Sequence, residues 1–424
     1  MAILSDGSLD SARFRGNRKD RKLGSESSFL TSKLFIFYML WPIIITPKEV
    51  QFVVFTIIAL VLLAKHEIFF DSISYFLFSY ILVYALSISY NLIQNSYEMT
   101  RILATVNSFG IWIIAFILFL VYKEIDLRKT DLIKIIFVNY CILLAVWAVS
   151  AILSSLTGLT RIRFMGSELY YSETFNGDVV VRFVSFMEYP NLVIMFCIFF
   201  YPFFYLQLRK FSSKIFQVTL MVAGVLPVVS TYSRSGYLVF FLIVALATVY
   251  LIYRFSSREI FLFLACAILA VAVLVFTYTN LTEVVILKLE ELATARAGSN
   301  DSRQILIAES FSQAWDNSRW IGMGIKDASS IGYPLGSHST LLGFFYKTGI
   351  VGFLLGCMLL IQINFKLLLL TGDLSRMLLR IAIIMMPFLF IVEDMDGSNW
   401  LIVIYFIFVG LLLNDKIWET DGLR

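Results

Sequence analysis

The sequence predicts an all-α fold: a polytopic membrane helical bundle of about 12 transmembrane helices, with a large helical outer loop between helices 9 and 10. Composition is the first reason, because 59% of the residues are hydrophobic and only 15% are charged, against about 25% charged in an ordinary soluble domain. Recurring apolar runs of spanning length are the second. The third is that the basic residues lie mostly between those runs, which indicates topology rather than nucleic-acid binding.

A span needs about 20 apolar residues to cross the hydrocarbon core of a bilayer, and runs of roughly this length follow one another along the chain. The predicted spans are Leu34–Ile45, Val50–Ala64, Ile73–Ile93, Ile102–Tyr122, Leu132–Leu156, Asn191–Leu206, Ile215–Ser230, Tyr237–Tyr253, Ile260–Tyr278, Leu341–Phe365, Met377–Val392 and Leu401–Leu413.

Charge placement predicts the orientation. Residues 1–33 form a basic tail that we expect to be cytoplasmic, and residues 34–424 a single transmembrane domain. The short turns on the opposite side carry only Lys48, Arg101 and Arg234, so the positive-inside rule places both termini in the cytoplasm.

Two predicted outer loops, 157–190 and 280–338, are too long to be turns, and loops of this length are usually functional. In the second, apolar residues at helical spacing predict helices over Thr282–Leu292 and Arg303–Trp315. We expect these helices to lie along the membrane surface as a cap over the bundle.

Cysteine and histidine usage argues against metal and disulfide chemistry. All four cysteines lie inside apolar runs without metal-ligand spacing, which predicts buried side chains and neither a disulfide nor a zinc site. Of the two histidines, His66 lies in an inner loop beside Lys65 and Glu67 and is interpreted as solvated surface.

Arg234 is the first candidate for ligand binding. It lies in Ser230-Thr-Tyr-Ser-Arg-Ser-Gly236, where two spans meet with no acidic residue beside it. An arginine at the mouth of an apolar segment calls for an anionic partner, and the flanking Tyr232, Ser233 and Ser235 could support an anion. The alternative is an arginine that extends to the membrane interface.

Arg303 follows Gly298-Ser-Asn-Asp-Ser302, which can cap a helix that begins there. An arginine in a first helical turn points its donors the same way as the free N–H groups, a geometry that suits a diphosphate. An ion pair with Asp301 on a solvated face is equally compatible with the sequence.

His338, in Gly336-Ser-His-Ser339, ends the second long loop where the chain re-enters the membrane. A lone histidine is more often an interfacial hydrogen-bonding residue. Its shared location with Arg234 and Arg303 favours a catalytic interpretation, because a neutral imidazole can take a proton from a sugar hydroxyl.

Weaker candidates lie elsewhere in the predicted outer segments. Three arginines of the first long loop could bind phosphate, although solvent exposure is the better interpretation: Arg161, Arg163 and Arg182. An acidic turn could hold a divalent ion, but without further carboxylates nearby in sequence we do not predict one: Glu393, Asp394 and Asp396.

Several motifs together resemble the bacterial O-antigen ligase and O-antigen or capsular polysaccharide polymerase family. They are Ser233-Arg-Ser-Gly236, Ser302-Arg303 with Trp315, Trp320-Ile-Gly-Met-Gly324, Gly336-Ser-His-Ser-Thr-Leu-Leu342 and Thr348-Gly-Ile-Val-Gly-Phe353. The resemblance covers roughly the second half of the chain. Ser339 stands where the family often has asparagine, and Lys347 stands where many members have an acidic residue.

The resemblance implies a twelve-helix glycosyltransferase of the bacterial cytoplasmic membrane, independent of metal and cofactor, that acts on undecaprenyl diphosphate-linked oligosaccharide at the outer face. It implies that Arg234 and Arg303 bind the diphosphate and that His338 assists the acceptor hydroxyl. A chain-length regulator and a flippase of the same pathway are the implied protein partners, beside membrane lipids.

The acceptor decides between two activities. A lipid-linked repeat unit as acceptor makes the enzyme a polymerase, and a terminal carrier makes it an O-antigen-type ligase. We favour the polymerase, because it needs no outer-core acceptor. A flippase or transporter of the same lipids is the alternative from another class, although it would place charges near the bilayer midplane. A structural scaffold is disfavoured by the arginine-bearing helical loop.

Overall fold

A computed structural model describes residues 33–164, 166–175, 178–255 and 297–418. Over these residues the chain is mostly helical, and every predicted span within them coincides with helix. The first part contains α1 (Phe35–Tyr38), α2 (Leu40–Ile45), α3 (Lys48–Leu63), α4 (Ser72–Gln94), α5 (Met99–Glu124), α6 (Lys129–Thr157), β1 (Ile162–Phe164), β2 (Ser167–Phe175) and β3 (Asp178–Phe183).

The second part contains α7 (Pro190–Leu208), α8 (Lys214–Val229), α9 (Arg234–Phe255), α10 (Ala297–Ser318), α11 (Thr340–Leu369), α12 (Leu374–Phe390), α13 (Asn399–Leu413) and α14 (Asp415–Trp418). The tail, the predicted span Ile260–Tyr278 and the predicted loop helix Thr282–Leu292 lie outside the described residues.

Within the described residues, five helices are long and apolar enough to cross a membrane, namely α4, α5, α6, α7 and α11. The protein is therefore a helical membrane protein, and the count of about 12 spans stays a prediction. At its centre lies α13, whose residues Asn399 to Leu412 are all buried. A helix that is apolar on every side is stable only when other helices surround it.

The predicted all-α class missed a three-stranded antiparallel sheet, β1-β2-β3, in the first long loop. Aromatic and β-branched residues in β2 and β3 explain it, since such residues favour strands and Tyr170 pairs with Phe183 across the two strands. The backbone N–H of Phe183 donates to the carbonyl of Ser230 (2.8 Å). This bond attaches the sheet to the turn that carries Arg234.

The second long loop contains α10, which begins earlier than predicted. The helix already includes Ala297, so the Gly298–Ser302 segment is not a cap and Arg303 does not lie in a first turn. Small polar residues such as Ser, Asn and Asp favour caps but are tolerated inside a helix, so the capping signal misplaced the boundary.

A backbone crossing fixes the rest of this loop. The chain around Gly322 passes over α11 where that helix is interrupted at Gly349 (φ 62°, ψ −162°). There the N–H of Met323 donates to the carbonyl of Tyr346 (2.7 Å), and the N–H of Ile350 donates to the carbonyl of Arg319 (2.8 Å). The groups freed by the helix break are therefore hydrogen-bonded, as a broken helix in a membrane protein requires.

Candidate active site

A cavity of about 1160 Å³ collects polar side chains from distant parts of the chain. Its walls come from α3, α4, α5, the sheet, the start of α7, α10, the loop before α11 and the turn between α12 and α13. Arg303 and His338, which are 35 residues apart by their numbers, both line it. The predicted convergence of these two side chains is thus present in the structure.

His338 is held in an unusual backbone conformation just before α11. Its φ is +64°, in the left-handed region that side chains other than glycine rarely adopt. Ser339 follows as the N-cap of α11, and its hydroxyl accepts from the N–H of Leu342 (3.3 Å). Asparagine, the residue the family often has there, is also a favoured N-cap, so the departure at Ser339 preserves this role.

Two contacts connect the histidine loop to its surroundings. The N–H of Gly336 donates to the hydroxyl of Ser310 on α10 (2.8 Å), which fixes the loop to the helix that carries Arg303. The imidazole of His338 meets the ring of Tyr333 edge-on, at 6.1 Å between centroids. These contacts orient the part of the loop that carries the imidazole.

The electrostatic environment keeps the imidazole neutral. Burial lowers the pKa of His338, and the positive charges of Arg303 and Lys326 lower it further. A neutral imidazole at physiological pH has a lone pair available for a proton. The two cations that act on it also show that positive charge lies close to the histidine.

Arg303 forms an ion pair with an acidic residue that is distant in the sequence. Its guanidinium lies 3.4 Å from the carboxylate of Glu393, which is almost fully buried and also accepts a hydrogen bond from the amide of Asn191. Burial raises the pKa of Glu393 to about 7, with Arg303 opposing the shift. Among the described residues, the ion-pair partner of Arg303 is thus Glu393 rather than Asp301.

The acidic turn is neutralised by buried lysines. Lys326 lies 2.5 Å from Asp394 and 3.4 Å from Asp396, and Lys347 forms a salt bridge with Asp396. Burial and the charge of Asp396 raise the pKa of Asp394. Although burial opposes ionisation, Lys326 and Lys347 hold the pKa of Asp396 well below its ordinary value. Lys347, a departure from the family pattern, therefore has its counter-ion in this turn.

Arg234 begins α9 and interacts electrostatically with Arg303. Within the part of the chain that the structure describes, it is not among the residues that line the cavity. The neighbouring Tyr232 is exposed and has φ +50°, whereas the buried hydroxyl of Ser233 accepts from the N–H of Gly236 (3.3 Å). Ser235 is half-buried. The motif thus builds a tight turn near Arg303.

Arg182 lines the cavity and is buried, contrary to the expectation of solvent exposure. Its guanidinium donates to the carbonyl of Thr231 (2.8 Å) and to the hydroxyl of Tyr171 (2.9 Å), and it pairs with Glu173 at 2.7 Å. The side chain therefore joins the sheet to the turn before Arg234.

Arg161 and Arg163 are exposed, as the favoured interpretation predicted. Both pair with Glu168, at 3.7 Å and 2.6 Å respectively. Neither is among the described residues that line the cavity with Arg303 and His338.

The fold and site define a helical membrane protein with a polar cavity that gathers cations beside a neutral histidine. Residues 219–357 match the family model described as O-antigen ligase. A comparison with curated proteins gives no match. The match confirms the resemblance carried by the motifs: this part of the chain is similar to the O-antigen ligase family, a glycosyltransferase-type class whose members act on lipid-linked glycan.

Proposed function

We propose that the protein polymerises undecaprenyl diphosphate-linked oligosaccharide repeat units at the outer face of the bacterial cytoplasmic membrane, with inversion at the anomeric carbon and without a metal ion. The observation that carries the proposal is the shared cavity of Arg303 and His338. A cation and a neutral base within one polar cavity are what transfer from a diphosphate to a hydroxyl requires.

In this reaction the acceptor oxygen forms a bond to the anomeric carbon as the bond from that carbon to the diphosphate oxygen breaks. The diphosphate leaves with the electron pair, and His338 takes the proton of the acceptor hydroxyl. Negative charge grows on the leaving group, so guanidinium groups that meet it lower the barrier. Arg303 supplies such a group, and Arg234 is close enough to interact with Arg303.

The pair of Arg303 and Glu393 suggests how the site accommodates an incoming diphosphate. At 3.4 Å the pair is loose, and the side chain of Arg303 is 34% exposed. A diphosphate can therefore compete for the guanidinium. Because the pKa of Glu393 is about 7, the carboxyl can accept a proton when Arg303 turns to the substrate.

The test is a transfer assay on purified protein with lipid-linked repeat units and no ATP, ion gradient or added metal. We expect a ladder of longer glycans from the wild type. Arg303→Gln and His338→Ala should each reduce turnover by about 100-fold or more. Arg319→Gln is the matched control, because Arg319 is exposed just after the same helix and contacts Trp315.

Products separate the alternatives. A single transfer to lipid A core with no ladder would make the enzyme a ligase. Movement of the lipid across the membrane that needs ATP or an ion gradient, without glycan growth, would identify a transporter and overturn the proposal.

A further inference from the structure

A second cavity, of about 670 Å³, adjoins the first. One side is the segment that joins α2 to α3, from Ile44 to Gln51, and the other is the start of β2 together with the chain that follows β3. The two cavities share three lining residues, Lys48, Tyr171 and Glu188. The side chains of these three residues lie between the two cavities and form the wall that separates them.

This wall is attached to the acidic turn of the first cavity. Lys48 lies 3.8 Å from Glu188 and donates to the carbonyl of Gly397 (2.6 Å). The hydroxyl of Ser398 donates to the carboxylate of Glu188 (3.2 Å). Since the side chains of Lys48 and Glu188 are 43% and 35% exposed, the wall can rearrange without moving the backbone.

The lining of the second cavity differs in charge from the first. Lys48 is its lining cation, and Glu188 compensates that charge. Glu168 is likewise compensated, because Arg163 lies 2.6 Å away. A diphosphate would find no cation here without a competing carboxylate among the described lining residues, so the second cavity does not suit the charged part of the donor.

The same lining suits sugar rings. Carboxylate, amide and hydroxyl groups accept and donate hydrogen bonds to sugar hydroxyls, and aromatic faces cover the apolar side of a ring. The cavity supplies these groups from Gln51, Ser167, Glu168, Tyr171 and Phe186. Its volume lies within the range of about 300–1,000 Å³ that is usual for small-molecule sites.

We propose that the second cavity is a carbohydrate subsite, which holds uncharged sugar units of a substrate glycan while the reacting carbon lies in the first cavity. The inference rests on the proposed glycan transfer and adds where the glycan is held. A glycan longer than the reacting sugar needs space beyond Arg303 and His338, and the adjoining cavity offers it across the wall.

Ser167→Trp tests the subsite, because Ser167 lines only the second cavity and an indole there would take up space next to Glu168 and Tyr171. Val179→Trp is the matched control on the same sheet, since Val179 is exposed and lines neither cavity. The probe is the water-soluble oligosaccharide released from the host's lipid-linked repeat units, titrated calorimetrically into detergent-purified protein. Bare undecaprenyl diphosphate is titrated in parallel.

We expect the wild type and Val179→Trp to bind the oligosaccharide equally, and Ser167→Trp to bind it about tenfold more weakly or worse. All three should bind undecaprenyl diphosphate alike. Glu168→Gln keeps the cavity open but alters one polar partner, and should weaken oligosaccharide binding about threefold. If Ser167→Trp loses the lipid diphosphate as well, its fold is disturbed and Glu168→Gln decides.

Oligosaccharide affinity unchanged in Ser167→Trp, or no binding by the wild type, would overturn the subsite. Binding in the second cavity without any glycan transfer by the wild type would instead refute the proposed function and leave the subsite standing. Where transfer occurs, donor and acceptor are varied separately, and the substrate whose KM rises in Ser167→Trp is the one whose glycan occupies the cavity.

Discussion

The substitution Gly322→Ala tests whether the backbone crossing over α11 requires a residue without a side chain at position 322. Gly322 has φ +77°, and a Cβ placed there would lie 2.4 Å from the backbone nitrogen of Thr348 and 2.5 Å from that of Gly349. These neighbours are backbone atoms, so they cannot rotate away as a side chain could. The crossing would have to open to admit even one methyl group.

The expected cost has two parts. A residue other than glycine in the left-handed region loses about 1–2 kcal/mol, and insertion of a methyl group into a packed site typically costs about 1–3 kcal/mol. Together they predict that the free energy of unfolding falls by about 2–5 kcal/mol in Gly322→Ala. Thermal unfolding in detergent, followed by tryptophan fluorescence, measures the loss.

Comparison with Gly332→Ala separates the steric cost from the backbone cost. Gly332 has φ +82°, but a Cβ there would meet nothing within 4 Å, so only the backbone cost of about 1–2 kcal/mol applies. Gly322→Ala should therefore be the less stable of the two by about 1–3 kcal/mol. Equal stability of the two variants would refute the argument that the crossing needs glycine for close approach.

Three further predictions concern the charged groups. His338→Ala should lower kcat by about 10²- to 10⁴-fold at unchanged donor affinity. Because burial lowers the pKa of His338, the wild-type rate should fall only when the pH is brought below the usual range of histidine pKa values. The pKa of Glu393 is about 7, so the carboxylate pairs with Arg303 more strongly above that pH. The affinity for the donor should therefore fall between about pH 6 and pH 8, and the same fall in Glu393→Gln would contradict this explanation. Lys347→Met removes one of the two lysines that pair with the buried Asp396 and should lower the free energy of unfolding by about 3 kcal/mol, partly restored by adding Asp396→Asn; no loss of stability would show the pair to be dispensable.

Hydropathy was enough to locate the described helices, because a helix that faces lipid or other helices must be apolar over most of its length. The sheet was missed although a signal existed. Asn176-Gly177, between segments rich in aromatic and β-branched residues, is a strong short-range indication of a hairpin.

The site was partly predictable. Arg303 was predicted from the small polar residues that precede it, and His338 from its position where the long loop re-enters the membrane. The partners themselves could not be identified, since Glu393 is 90 residues from Arg303 and Asp396 is 49 residues from Lys347. Sequence proximity offered Asp301 as one of two alternatives for Arg303, whereas tertiary packing brings Glu393 to it.

The chain after His338 is tied to the acidic turn: both the N–H and the hydroxyl of Thr340 donate to the carbonyl of Glu393, at 3.0 Å and 2.8 Å. His338 and the carboxyl group that engages Arg303 are therefore held in one connected unit. When a bulky headgroup enters the cavity, we expect the spacing between His338 and Glu393 to be kept, and any rearrangement to fall on side chains outside this unit.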